Sequence, residues 1–185
     1  MNTTKHIVEG LPVYVVDDAV EPTSLGRAHT LCRMLPFTRI RYGFRADPES
    51  PLDFDYQWVH PVAEDERAML PLDTMAALVQ KLAGETWTPG RVHINCITPG
   101  ERRHQHIDGA RDRVLVAVCF ANSSWEEAWA GDLVFFDDGV EVLRVSPAPG
   151  RIIIFDGSLV HRGGVPIDDC PEVRYAIAHK FLKAA

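Results

Sequence analysis

Short apolar runs recur along the second half of the chain. They occupy residues 91–98, 113–121, 131–137, 141–146, 151–155 and 173–182. Turn residues such as Thr98-Pro99-Gly100 and Gly163-Gly164 separate them. Short runs at such regular spacing are typical of the strands of a β-sandwich or barrel. The run at 114–121 is apolar at nearly every position, which predicts a strand buried on one or both faces.

The pattern in residues 1–90 is different, because strand-like and helix-like periods alternate there. The apolar run at 11–16 predicts a strand, and the alternation at 38–44 predicts another. Residues 45–57 contain two prolines and four acidic residues, which favours a loop.

Two helices are predicted in the same half, since apolar residues recur there every three or four positions. The first begins at Pro22, and the second begins near Asp73 and ends at Gly84. The chain is therefore predicted to be one domain, mostly β with flanking helices (α+β). Residues 1–90 form an N-terminal α/β support that carries the substrate loops, and residues 91–182 form an all-β core.

Composition narrows the class of protein. The chain has 185 residues, 46% of them hydrophobic, and is long enough to bury a core without disulfides or a structural metal. Its 19 basic and 26 acidic residues give a net charge of 19 − 26 = −7, which makes a nucleic-acid partner unlikely. Its longest apolar run is too short to span a membrane, and its N-terminus lacks a signal-peptide pattern. With four scattered cysteines, these features predict a cytoplasmic protein with reduced thiols.

The densest group of candidate metal ligands lies in residues 95–108, which read NCITPGERRHQHID. His106 and Asp108 are two residues apart and so point to the same side of an extended chain. His161 follows the apolar run at 151–155. Two imidazoles and one carboxylate are the ligand set of non-haem Fe(II) oxygenases, which leaves coordination positions open for other ligands. We therefore predict that these three residues are metal ligands and catalytic residues.

Several motifs around these residues resemble the Fe(II)/2-oxoglutarate-dependent oxygenases, especially the prolyl-4-hydroxylase-like group. The His-x-Asp motif follows a Pro-Gly turn, and residues 129–135 (WAGDLVF) are similar to a characteristic strand of that family. Residues 147–161 match its Pro-x-x-Gly pattern leading into a histidine, and basic residues follow in 174–180. The resemblance covers residues 91–182. It implies a double-stranded β-helix (jelly-roll) core, Fe(II), 2-oxoglutarate as cosubstrate, and O₂.

The resemblance also implies a partner for the distal carboxylate of 2-oxoglutarate. Arg174 is the leading candidate, since a guanidinium pairs with a carboxylate through two hydrogen bonds. Lys180 is the competitor, because it lies on the same strand face by parity. Asn95 is a further cosubstrate candidate. Where relatives commonly have tyrosine this chain has Ile97. Either another side chain supplies the missing hydroxyl, with Ser158 and Thr98 as guesses, or the pocket is drier.

Substrate contacts are expected from the N-terminal half and from the residues beside the His-x-Asp motif. The candidates are Arg45, Tyr56, Trp58, Arg103 and His104. His93 and His179 are interpreted instead as strand residues with ordinary hydrogen-bond partners.

The sequence thus favours a dioxygenase that hydroxylates an unactivated C–H bond of a small molecule or amino-acid side chain, releasing succinate and CO₂. Desaturation, cyclisation and epimerisation remain open beside hydroxylation. The alternatives are an AlkB-like nucleic-acid dealkylase, a peptidyl-prolyl hydroxylase, and a non-enzymatic cupin-like binding barrel. The pattern leaves the oligomeric state open.

Overall fold

The computed structural model describes residues 1–42, 55–84, 87–101 and 103–183. Within them the chain forms eleven strands, two α-helices and two short 3₁₀ helices, at Glu64–Met69 and Glu127–Trp129. The helices are α1 (Pro22–Met34) and α2 (Leu72–Ala83). The strands are β1 (Asn2–Val8), β2 (Leu11–Asp17), β3 (Thr38–Tyr42), β4 (Asp55–Pro61), β5 (Trp87–Ile97), β6 (Val114–Phe120), β7 (Leu133–Asp137), β8 (Val140–Val145), β9 (Ile152–Asp156), β10 (His161–Gly163) and β11 (Arg174–Lys183).

The strands form two antiparallel sheets that enclose an apolar layer. The large sheet has the order β1-β2-β9-β6-β11-β5-β4-β3, and the small one has the order β10-β7-β8. Phe120, Phe135 and Phe155 are fully buried in this layer, with Val116 and Val118 beside them. The β-rich fold predicted for the chain, with a double-stranded β-helix core, is confirmed.

The helices cover the opposite face of the large sheet. Leu25 of α1 and Met75 of α2 are buried there against Leu115, Ala117 and other large-sheet residues. Because successive strand residues point to opposite faces, β6 alternates between the two apolar layers. This explains why every residue of β6 is apolar: of the two possibilities predicted, burial on one face or on both, the structure shows burial on both.

Three local predictions differ from the structure. Residues 2–8 form β1, which the sequence did not indicate, because six of its seven residues are exposed or only partly buried at the sheet edge. Residues 55–57 belong to β4 rather than to a loop, since their pairing with β3 outweighs the nearby acidic residues. The three-residue β10 was also missed, and residues 43–54 lie outside the described part.

Helix boundaries follow the predicted signals. Pro22 is the first residue of α1, where its missing amide hydrogen leaves no bond unmade. Gly84 follows the last residue of α2 and adopts a φ of 95°, a conformation that favours glycine. No helix in the described ranges is both long and apolar enough to cross a membrane.

Candidate active site

A cavity opens between the two sheets, at the end where β5, β10 and β11 meet the connection from β5 to β6. Alternate residues of β5 and β11 form its floor, because those positions face away from the helices. Polar side chains line it beside a few apolar ones. The lining comprises Gln57, His93, Asn95, Ile97, Arg103, His104, Gln105, His106, Asp108, Val118, Leu133, His161, Gly163, Arg174, Ala176 and Ala178.

The His-x-Asp segment is held against β10 by backbone hydrogen bonds. His106 and His161 exchange two N–H to O=C bonds of 2.9 Å each. Gly157 accepts bonds from the amides of Asp108, at 2.7 Å, and Gly109, at 3.0 Å. The main chain therefore brings together side chains that lie more than fifty residues apart in sequence.

The turn before His161 is braced in the same way. Asp156 is 5% exposed, and its carboxylate accepts bonds from the Ser158 hydroxyl at 2.7 Å and from the Asp112 amide at 3.0 Å. Asp156 therefore satisfies the local polar groups and fixes the direction in which β10 begins.

One potential ligand atom from each of His106, Asp108 and His161 lies within 4.8 Å of the other two. The Nδ1 atom of His161 lies 2.9 Å from the Leu159 carbonyl, and that of His106 lies 3.3 Å from the His104 carbonyl. A carbonyl only accepts, so each Nδ1 carries a proton, and Nε2 is the nitrogen of each ring that a metal would bind. This second hydrogen bond is characteristic of metal-binding histidines.

The electrostatics favour the protonation states that bind metal. Burial raises the pKa of Asp108, but its hydrogen bond to His161 and the charges of His161 and Lys180 outweigh burial and hold it well below its ordinary value. Burial, with a contribution from His161, lowers the pKa of His106 to about 4. The carboxylate is thus ionised and the His106 imidazole neutral near pH 7, as metal ligation requires.

This donor set fits Fe(II). Two neutral imidazoles and one carboxylate on one side of the metal leave the other positions open. Within the described residues, His106, Asp108 and His161 are the one group of three or more metal-binding side chains this close together.

Arg174 lies in the same cavity and is 2% exposed. Its guanidinium carbon is 4.7 Å from the centre of the Phe120 ring. The buried Nε has no hydrogen-bond partner, and no described residue accepts a bond from the guanidinium. Burial, followed by the charge of Arg103, lowers its pKa to about 9, so the side chain is cationic near pH 7. A buried cation without a partner fits an anionic ligand.

Small residues lie between Arg174 and the candidate metal ligands. Ala176 and Ala178 follow Arg174 on the cavity face of β11, about 7 Å apart. Gly163 of β10 lies opposite, where an added Cβ would come within 3.8 Å of the guanidinium. These positions leave room for a small ligand that reaches from the metal site to Arg174.

Comparisons with known proteins agree with this geometry. Residues 92–181 match the sequence model of the 2OG-Fe(II) oxygenase superfamily. This stretch contains the three candidate metal ligands and Arg174, and it is similar to that superfamily. Its enzymes are oxidoreductases that use Fe(II), 2-oxoglutarate (2OG) and O₂, which confirms the enzyme class and cofactors predicted from the sequence. No curated protein matches the chain.

Solved structures show the same fold at low sequence identity. A 2OG-Fe(II) oxygenase family oxidoreductase from Burkholderia pseudomallei has 15% identity and a TM-score of 0.71, over 93% of this chain and 85% of that one. A prolyl-4-hydroxylase from Pseudomonas putida has 18% identity and a TM-score of 0.66, over 94% and 93%. The 2OG-dependent epimerase SnoN from nogalamycin biosynthesis has 14% identity and a TM-score of 0.67, over 93% and 78%.

The two basic cosubstrate candidates occupy different environments. Lys180 donates a 2.7 Å hydrogen bond to Asp108 Oδ1, whereas Arg174 has no such partner in the described part of the chain. Asn95 lines the cavity, and its side-chain oxygen accepts a hydrogen bond from Gln57. Arg174 is therefore the basic residue available to a ligand, and Asn95 is held in place beside it.

The structure places some of the predicted substrate contacts at the cavity and others away from it. Arg103 and His104 line the cavity, and Arg103 pairs with Glu101 at 2.8 Å. Trp58 does not reach it, because strand alternation turns Trp58 to the other face of β4, 5.9 Å from the Arg39 guanidinium. The side chain of Tyr56 and all of Arg45 lie outside the described residues.

The guesses for the missing hydroxyl were wrong. Ser158 bonds to Asp156, and Thr98 bonds to Glu101 at 2.7 Å, so each hydroxyl is used outside the cavity. Ile97 itself lines the cavity. The wall at this point is therefore apolar.

Sequence reasoning missed three further polar residues of the cavity: Gln57, His93 and Gln105. His93 was expected to have a hydrogen-bond partner, yet its Nδ1 is buried without one. Its cavity-facing position follows from its two-residue spacing from Asn95 on β5. That spacing was the available signal.

Proposed function

We propose that the protein is a dioxygenase that hydroxylates an unactivated C–H bond of a small molecule or amino-acid side chain, releasing succinate and CO₂. The observation that carries this proposal is a buried guanidinium with an unpartnered Nε in the cavity that also holds two histidines and an aspartate. A metal site and a buried cation in one small cavity suit a ligand that chelates at one end and is anionic at the other. 2-Oxoglutarate has that chemistry.

His106, Asp108 and His161 would hold Fe(II) through two Nε2 atoms and one carboxylate oxygen. When bound, Fe(II) and 2-oxoglutarate react with O₂ to supply the oxidising chemistry, in which one oxygen atom goes to succinate and the other to the substrate. The chain itself fixes the imidazole orientations through the carbonyls of Leu159 and His104.

Arg174 would pair with the distal carboxylate of the cosubstrate, which fits its planar set of donors. Asn95, held by Gln57, would donate a hydrogen bond from its amide nitrogen to the cosubstrate. Ile97, Val118 and Leu133 provide apolar walls that exclude water from the reacting centre.

Arg103, His104 and Gln105 lie on the connection that borders the cavity and are our candidates for substrate contacts. The net charge of −7 weighs against a nucleic acid as substrate. Proteins of similar structure include a prolyl-4-hydroxylase and an epimerase of nogalamycin biosynthesis, which supports an amino-acid side chain or a small molecule as substrate. We also propose a cytoplasmic location, with which four free cysteines agree.

An anaerobic titration with Fe(II) and then 2-oxoglutarate tests the proposal. The wild type is expected to develop the weak visible charge-transfer band of an iron–2-oxoglutarate chelate. His106→Ala is expected to lose it, whereas His6→Ala, on the edge strand β1, keeps it. A folded wild type without the band would overturn the proposal and favour a binding barrel.

A further inference from the structure

Lys180 makes two contacts with the same residue of the candidate metal site. It lies near the end of β11, and its Nζ is 2.7 Å from Asp108 Oδ1 and 3.1 Å from the Asp108 carbonyl oxygen. The side chains of Lys180 and Asp108 are each 17% exposed. A charge-assisted hydrogen bond with this little solvent around it is a strong constraint on orientation.

The two carboxylate oxygens of Asp108 consequently differ. Oδ1 is bound by the ammonium group, while Oδ2 is 3.5 Å from Nε2 of His161, a second residue of the donor group. A carboxylate can bind a metal through one oxygen or through both. An ammonium on Oδ1 reserves that oxygen and leaves Oδ2 for the metal.

We propose that Lys180 is a positioning residue that holds Asp108 as a single-oxygen metal ligand. This inference rests on the proposed function, since it concerns the same iron site. Its consequence is an extra open coordination position, which a carboxylate bound through both oxygens would fill. A cosubstrate that chelates through two atoms needs such positions to be free.

The backbone adds to this restraint. The Asp108 amide donates to Gly157 at 2.7 Å, while the Asp108 carbonyl accepts from Lys180 at 3.1 Å. The residue is thus held at its amide, its carbonyl and one carboxylate oxygen, which leaves its side chain little rotational freedom.

Co(II) absorption spectroscopy tests the proposal without any turnover. Co(II) replaces Fe(II) as the probe, and the d–d spectrum of each complex is recorded before and after 2-oxoglutarate is added. The variants are Lys180→Met, which removes the charge, and Lys180→Arg, which keeps a cationic donor. Lys183→Met is the matched control, because Lys183 is on the same strand but is exposed and lies 5.6 Å from the Trp87 ring centre.

Lys180→Met is expected to change the Co(II) spectrum before 2-oxoglutarate is present, because both Asp108 oxygens become available. It is also expected to weaken 2-oxoglutarate binding at least tenfold. Lys180→Arg restores the wild-type spectrum, and Lys183→Met never loses it. If Lys180→Met does not fold, Lys180→Gln takes its place, since the shorter neutral side chain also abandons Oδ1.

An unchanged Co(II) spectrum in Lys180→Met overturns the inference. If 2-oxoglutarate binding then falls, Lys180 contacts the cosubstrate directly; if it does not, the ion pair only stabilises the fold. A folded wild type that binds neither Co(II) nor Fe(II) overturns the proposed function as well, so the two failures are distinguishable.

Discussion

Within the described part of the chain, buried polar atoms without hydrogen-bond partners occur on both faces of the large sheet. Arg174 and His93 line the cavity, whereas His179 lies on the opposite face of the large sheet beside Phe181. A buried polar group without a partner destabilises a fold by about 1–3 kcal/mol. In the cavity a ligand can supply the missing hydrogen-bond partner. His179 lies outside the cavity, where a ligand cannot reach it.

Replacement of Arg174 separates cosubstrate binding from metal binding. Arg174→Met is expected to weaken 2-oxoglutarate binding by a hundredfold or more, because the distal carboxylate would be buried against an apolar side chain. Fe(II) binding should persist, since His106, Asp108 and His161 are untouched. Anaerobic titration of the charge-transfer band measures both affinities. Equal 2-oxoglutarate affinity in wild type and variant would contradict the assigned role.

Replacement of His179 by leucine is expected to stabilise the protein. Both ring nitrogens of His179 are buried without a partner, and the residue is 1% exposed. His179→Leu should therefore raise the free energy of unfolding by about 1 kcal/mol. Urea denaturation of the iron-free protein measures it. A clear loss of stability would show that the imidazole has a partner that this account omits.

The candidate ligands could be proposed from the sequence because their signal is local. His106 and Asp108 form a two-residue motif, and His161 follows a distinctive apolar strand. The pairing of Lys180 with Asp108 joins residues 72 positions apart, and the gap in hydrogen bonding at His93 depends on what surrounds it. No sequence pattern indicates the Lys180–Asp108 pair or the unpartnered nitrogen of His93, so both are seen only in the folded structure.

At the level of elements, the short strand β10 carries His161. The residue after this strand, Gly164, packs tightly against the backbone just before β7. The Gly164 amide donates to the Asp132 carbonyl, and an added Cβ at Gly164 would lie 2.4 Å from that oxygen. Only a residue without a side chain fits this closely against backbone.

Gly164→Ala is therefore expected to destabilise the protein by about 2 kcal/mol or more and to disturb the position of His161. Gly26→Ala is the control, because a Cβ there meets nothing within 4 Å and lies inside α1. That change should stabilise by about 0.5–1 kcal/mol. Thermal unfolding of both variants checks the pair. Similar effects of the two substitutions would contradict the proposed backbone clash.

Helices and strands could be predicted where the hydrophobic pattern of the sequence matches the burial of its residues in the fold. The strong apolar runs became β6 and β9, and Pro22 and Gly84 marked helix ends correctly. β1 was not predicted because an edge strand that is polar on both faces shows little hydrophobic alternation. β10 was not predicted because three residues are too few to show a pattern.

At the level of the whole molecule, buried histidines make stability depend on pH. Burial, with Arg91 next in effect, lowers the pKa of His93 to about 4. Burial, followed by Arg67, lowers the pKa of His179 to about 4. In the unfolded chain both titrate near 6.5, so the unfolded state binds more protons between these values.

Stability of the iron-free protein should therefore decline as pH falls below about 6.5. The loss between pH 7 and pH 5 is expected to be on the order of 2 kcal/mol for each histidine. Denaturation midpoints across this range measure the decline, and His179→Leu should remove its share. A decline equally steep in the variant would exclude His179 as a contributor.

The order of strands in the large sheet has a consequence for folding during synthesis. β11 is the last strand of the described chain, yet it lies between β6 and β5 and pairs with both. Until its residues leave the ribosome, β5 and β6 each have an unpaired edge, which is the type of surface that associates with other chains. Truncation just before Arg174 should therefore yield aggregates rather than a smaller folded unit. The growing chain should also be most dependent on chaperones immediately before β11 appears.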